Sequence, residues 1–133
     1  MSYRLSKFTG AIAIAAIMLP AMVFAAEQDP IAGAWQGLAL QPSGNGKSET
    51  WTITMKIDAT GNGTIDYPSL NCGGTLTRLP SSGDVVEFHE KLTYGLQKCV
   101  DDGTDGVRLK EGKLIWYWVK GSFAASAVLF RPN

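Results

Sequence analysis

The chain has 133 residues, with 12 Lys plus Arg against 12 Asp plus Glu and a single histidine, for a formal net charge of zero. No basic stripe is available to neutralise phosphates, which excludes nucleic acid as a partner. Two cysteines without CxxC spacing and one histidine leave no ligand set for a structural zinc site.

The first 25 residues read as an export leader. Arg4 and Lys7 form a basic start, 8–24 is almost wholly apolar, and Val23-Phe24-Ala25 places small residues where a signal peptidase cuts. A retained anchor is the alternative, because the run is close to a minimal membrane span. Pro20 and the small-residue exit favour cleavage after Ala25 and no membrane span thereafter. Losing Arg4 and Lys7 leaves 10 basic against 12 acidic residues over 26–133, a net charge of −2 on one small domain. An export signal implies an oxidising, periplasmic or secreted setting, where Cys72 and Cys99 pair. Closing that loop is worth about 3.5 kcal/mol in the chain-entropy model.

Next come strands. Residues 33–40 form the first, followed by a glycine-rich loop over 42–49. Trp51, Ile53, Met55 and Ile57 alternate with Thr52, Thr54 and Lys56, the period of a half-buried strand. Asn62-Gly63 closes a tight turn, Ile65 and Tyr67 share a face of the third strand, and Pro68 ends it. Further strands are expected over 72–79, 85–94, 106–110, 113–120 and 124–131, with a two-residue turn at Glu111-Gly112. No segment after the leader carries a helical period. Eight short strands with short connections predict an all-β fold, a small antiparallel up-and-down barrel with one disulfide; a β-sandwich is the alternative.

Two resemblances arise from these residues. GAWQG (33–37), YPSLNCGGTL (67–76), FHEKLTYG (88–95), CVDDG (99–103) and AVLFR (127–131) together resemble a small extracytoplasmic β-domain of secreted bacterial proteins and of the outer halves of membrane-anchored serine/threonine kinases. That likeness implies fold and location but no defined ligand. A GxW on the first strand and an arginine on the last are similar to the lipocalin and avidin-like barrels. That likeness implies that Arg131 lies across Trp35 at a closed barrel end, a structural cation–aromatic contact.

Catalysis finds no constellation. His89 stands with Glu87 and Lys91 on the polar side of its strand, and no GxSxG, HExxH or Cys–His pairing accompanies it. The chain is therefore read as a non-enzyme without cofactor. The run 101–106 resembles a calcium loop but lacks an acid or amide at its third position, and Gly112 stands where the bidentate Glu belongs, so no metal is expected.

Glu90 shares parity with Val86, Phe88, Leu92 and Tyr94, which puts a carboxylate on an apolar face. A buried charge demands compensation. Three solutions are open: a cation from Arg78 or Arg108, a bulge that turns Glu90 outward, or a polar cavity that takes ligand. The run Trp116-Tyr117-Trp118 is apolar on both faces, so either Tyr117 or the two tryptophans face outward as a stacking surface for a sugar or a protein.

The function expected is non-catalytic binding of a small ligand, an envelope glycan or a protein partner. Contacts come from loops 41–49, 67–74 (with Tyr67 and Asn71) and 95–106, together with the 114–119 aromatics. The alternative is a periplasmic inhibitor or immunity protein that blocks a secreted hydrolase such as a lysozyme-like enzyme. There Asp101, Asp102 and Asp105 form the acidic loop that enters the enzyme's cleft.

Overall fold

The computed structural model describes residues 10–22 and 28–133. The expected cleavage point after Ala25 lies outside the described residues. Residues 10–22 hold neither helix nor strand, and among the described residues no helix is long and apolar enough to cross a membrane.

Eight antiparallel strands follow: β1 (Gly33–Gly44), β2 (Lys47–Ile57), β3 (Gly63–Tyr67), β4 (Cys72–Arg78), β5 (Val86–Tyr94), β6 (Thr104–Lys110), β7 (Lys113–Lys120) and β8 (Phe123–Phe130). Each pairs with the next, and β8 returns to β1 to close an up-and-down barrel. The closing seam pairs Gln36 with Phe130, Gly37 with Leu129 and Leu40 with Ser126. A Cβ at residue 37 would stand 2.5 Å from the Val128 carbonyl oxygen, so glycine there lets the two strands meet. Closure rather than a sandwich leaves no exposed sheet edge.

Inward-facing residues follow the period of two. Trp35 and Ala39 of β1, Ile53, Met55 and Ile57 of β2, and Leu114, Trp116 and Trp118 of β7 are all buried. Ile115 and Tyr117 therefore lie on the outer wall, half-buried, with Val119 beyond them. This settles the choice within the aromatic run: Trp116 and Trp118 are not an outer stacking surface.

Several strand ends differ from expectation by a residue or so, and two larger differences bear on the site. The polar run 42–49 is not a loop but the tip of the β1–β2 hairpin, paired as far as Gly44 with Lys47. Asn45 and Gly46 both take the left-handed backbone (φ 53° and 70°), and this tight turn carries the ladder past the barrel wall, where no apolar face is needed. The sixth strand begins at Thr104, two residues before the expected start. That extension carries Asp105 out of the loop and into the barrel wall.

The two ends of the barrel are built differently. At one end Arg131 lies 3.8 Å from the centre of the Trp35 ring. It also donates hydrogen bonds to the carbonyls of Ala32 and Pro30, and Trp35 Nε1 donates to the Ile31 carbonyl at 2.8 Å. Arg78 meets Asp29 there at 2.6 Å. The strand directions gather the β1–β2 tip, the 3-10 turn Pro68–Leu70, the 95–103 segment and the β7–β8 turn at the opposite end. The disulfide joins Cys72 to Cys99 with Cα atoms 6.4 Å apart, tying the start of β4 to that segment.

The bridge spans 27 positions, so replacing both cysteines with serine is expected to cost about 3–4 kcal/mol. Denaturant unfolding of oxidised wild type against C72S/C99S measures this. Equal midpoints would show that the bridge adds nothing.

Candidate functional site

A cavity of about 270 Å³ opens at the disulfide-bearing end. Its wall combines aromatic rings from three strands (Trp51, Tyr67, Trp116 and Trp118) with Phe123 at the β7–β8 turn and Leu70 on the 3-10 turn. Gln41, Glu49 and Lys98 line it as well, and Glu90 is part of the same wall. The volume is near the lower bound of ordinary small-molecule sites, roughly 300 Å³. Trp118 gains its place because residue 103 is glycine: the indole ring occupies the space that a Cβ there would need.

Glu90 is the unusual member. It is 1 % exposed, and neither carboxyl oxygen has a hydrogen-bond partner among the described residues. Tyr67, Asp105 and Trp118 approach it closely enough to favour its charged form, without reaching full hydrogen-bond geometry, and burial outweighs them. Trp51 Nε1 is also buried without a partner. Most buried polar side-chain atoms in folded proteins are satisfied, and each orphan costs about 1–3 kcal/mol.

Behind Glu90 stands a second buried acid. Asp105, fully buried, lies opposite Phe88 on β5 and Trp118 on β7. Its Oδ2 accepts a hydrogen bond from Trp116 Nε1 at 2.7 Å, while Oδ1 is unpaired. Burial pushes the Asp105 carboxyl well above the usual carboxylate range, and the neighbouring Glu90 charge pushes it further. Burial also raises Glu90. The Tyr67 hydroxyl is held well above its ordinary value by burial and then by the charges of Asp105 and Glu90. Two like charges so close in a dry interior favour keeping a proton on the pair.

Neither expected cation reaches Glu90. Arg78 is engaged with Asp29 at the far end of the barrel, and Arg108 is exposed on the outer wall. Nor does a bulge turn Glu90 outward. The one register shift in the β4–β5 ladder falls at Thr93, between the pairs Gly74–Leu92 and Gly73–Tyr94. Its effect is on Tyr94, which is exposed and donates to Asp66. Glu90 stays inside, beside a cavity.

The three loop aspartates separate. Asp105 is interior, contrary to its expected place at a loop tip. Asp101 accepts hydrogen bonds from Lys91 Nζ, Leu92 N and Asp102 N, each at 2.8 Å, and Lys120 Nζ donates to its carbonyl at 2.6 Å. Asp102 lies 3.2 Å from His89 and 3.4 Å from Lys91. Asn71 is exposed and left-handed (φ 54°), ending the 3-10 turn rather than facing the cavity. Among the described residues no group of three or more His, Cys, Asp or Glu side chains is arranged to hold a metal ion.

Trp51 and Phe123 escaped the sequence reading as wall residues, whereas Leu70 falls within the expected contact loop 67–74. Only Trp51 carried a signal, since its alternation with Ile53 pointed it inward. The chain matches no protein-family model, and no curated protein matches it in sequence.

Two pH responses follow. The raised carboxyls of Glu90 and Asp105 favour folding when protonated, so their contribution is full below the ordinary carboxylate range and fades as pH climbs toward their folded values. Asp105→Asn should therefore stabilise the protein at pH 8 by roughly 1–3 kcal/mol and gain little at pH 4. A variant less stable at pH 8 would contradict this. Asp101 behaves oppositely: its hydrogen bond from Lys91 and that from the Leu92 N–H hold it down at about 2. Its contribution is present above pH 4 and lost as pH falls through 2, so Asp101→Asn should flatten the melting curve's pH dependence in that window. An unchanged slope would exclude the pairing.

Proposed function

We propose that this chain is an exported, non-catalytic binding protein that takes a small molecule in the open end of its barrel. The observation that carries the reading is the buried Glu90 carboxyl, without a hydrogen-bond partner among the described residues, at the wall of an aromatic cavity. A domain of this size has little stability to spare. An orphaned buried acid in it is accounted for by a ligand that satisfies it. The leader at 1–25 and the disulfide support a periplasmic or secreted location.

A binding role is favoured over a catalytic one by the arrangement of the polar groups. Glu90 alone of the two buried acids lines the cavity, since Asp105 sits behind the wall. His89 is half-buried beside the exposed Asp102. Among the described residues no serine, histidine or free cysteine lines the cavity with Glu90.

The inhibitor reading draws less support. Its acidic loop is engaged within the chain: Asp101 with Lys91 and Lys120, Asp102 with His89 and Lys91, and Asp105 in the interior.

The test is native mass spectrometry of the oxidised protein after exposure to a small-molecule extract of the cell envelope. A bound species of low mass is expected in wild type and absent in Leu70→Trp, which fills the cavity wall. Adducts retained equally by both proteins, or none in either, would overturn the reading.

A further inference from the structure

The cavity has a charge asymmetry that narrows the ligand's chemistry. Its deepest charged groups are Glu90 and, behind it, Asp105, both buried. No cation of the described chain is placed to answer them. Arg78 and Arg131 are committed at the other end of the barrel, and Lys91 and Lys120 hold Asp101 on the outside. Lys98 lines the cavity but is exposed at its rim, as is Glu49 across from it.

The rest of the wall suits a positive guest. Aromatic faces attract cations through their quadrupole, most strongly where water is excluded. Trp51, Tyr67, Trp116 and Trp118 line the same cavity as the carboxyl.

We propose that the cavity binds a small organic cation, an amine or quaternary ammonium, with its nitrogen against Glu90 and its carbon substituents against the tryptophan rings. This rests on the ligand-binding reading above and gives that site a ligand class. Glu90 supplies acceptor oxygens at the cavity wall and, once the shared proton has left, the compensating charge. Asp105, held by Trp116 Nε1, keeps a second negative or protonated carboxyl at its back.

Binding exchanges one positive charge for another. In the empty site a proton resides on the Glu90–Asp105 pair; when the cation enters, that proton leaves to solvent. The groups facing Glu90 are consistent with this exchange. Tyr67 from β3 and Trp118 from β7 stay neutral, Leu76 on β4 is apolar, and Asp101 in the adjoining segment adds negative charge. Affinity for a quaternary ammonium, which has no proton of its own to lose, should rise from pH 5 to pH 8.

The test compares choline with 3,3-dimethylbutan-1-ol, which has the same branched shape without the charge, by isothermal titration calorimetry on the oxidised protein. The panel also includes 3,3-dimethylbutylamine. At pH 8 at least one of the two cations should bind about tenfold or more tighter than the alcohol, with proton release seen as a buffer-dependent heat. Glu90→Gln should abolish the preference while keeping a cooperative melt. Asp105→Asn should retain both the preference and a buffer-dependent heat, because burial alone raises Glu90. Equal affinities of the alcohol and both cations, or a preference that survives Glu90→Gln, would overturn the cation assignment and leave the cavity as a site for neutral ligands. Failure of all three probes would also overturn it; the extract experiment with Leu70→Trp then decides separately whether the cavity binds anything.

Discussion

Two carboxyl groups with nowhere to put their charge dominate the interior of this barrel. Glu90 and Asp105 project inward from adjacent strands, into a space whose other walls are indole, phenol and hydrocarbon. One hydrogen bond, from Trp116 Nε1, answers the pair. Dry protein penalises such a group by several kcal/mol unless it is neutralised or paired. The fold meets that cost by letting burial raise the proton affinity of both acids.

The rest of the barrel makes this tolerable by being stiff. Closure of β8 on β1 gives every strand two neighbours, so no sheet edge is left to fray. Arg131 stacked on Trp35 seals one end with charge-assisted hydrogen bonds to the backbone that leads into β1. At the other end the Cys72–Cys99 bridge holds the 95–103 segment against the start of β4, and through it the Asp101 hydrogen-bond cluster. The barrel therefore has one closed end and one disulfide-pinned end. Recognition groups keep their geometry best on rigid elements of this kind.

Much of this was legible from residue order alone. Alternation along 51–57, the Glu111-Gly112 turn and eight short segments with short connections led to an all-β barrel, because period and turn chemistry are local properties. The likeness to lipocalin and avidin-like barrels led to the Arg131–Trp35 contact. Glu90 was recognisable as an acid on an apolar face for the same local reason. Its partner was not. Asp105 sits in DDGTDG, whose composition reads as a turn, and only the pairing of Thr104 with Val119 and Asp105 with Trp118 draws it into a strand. Had that strand been extended two residues, the alternation of Asp105 with Val107 would have placed both inside. The cavity was beyond reach because it depends on non-local contacts. Phe123 and Leu70 join its wall from the start of β8 and a 3-10 segment far apart in sequence, and the Gly103 gap that admits Trp118 exists only in three dimensions.

The decisive quantity is the ionisation of the two interior acids. Following the side-chain carboxyl carbons of Glu90 and Asp105 by NMR from pH 3 to pH 9 measures it directly. The account requires the pair to keep its shared proton well past the ordinary carboxylate range, with both resonances shifting together as that proton leaves. Two independent transitions within the ordinary carboxylate range would mean that water already satisfies these groups, and that the barrel holds no vacancy in charge for a ligand to fill.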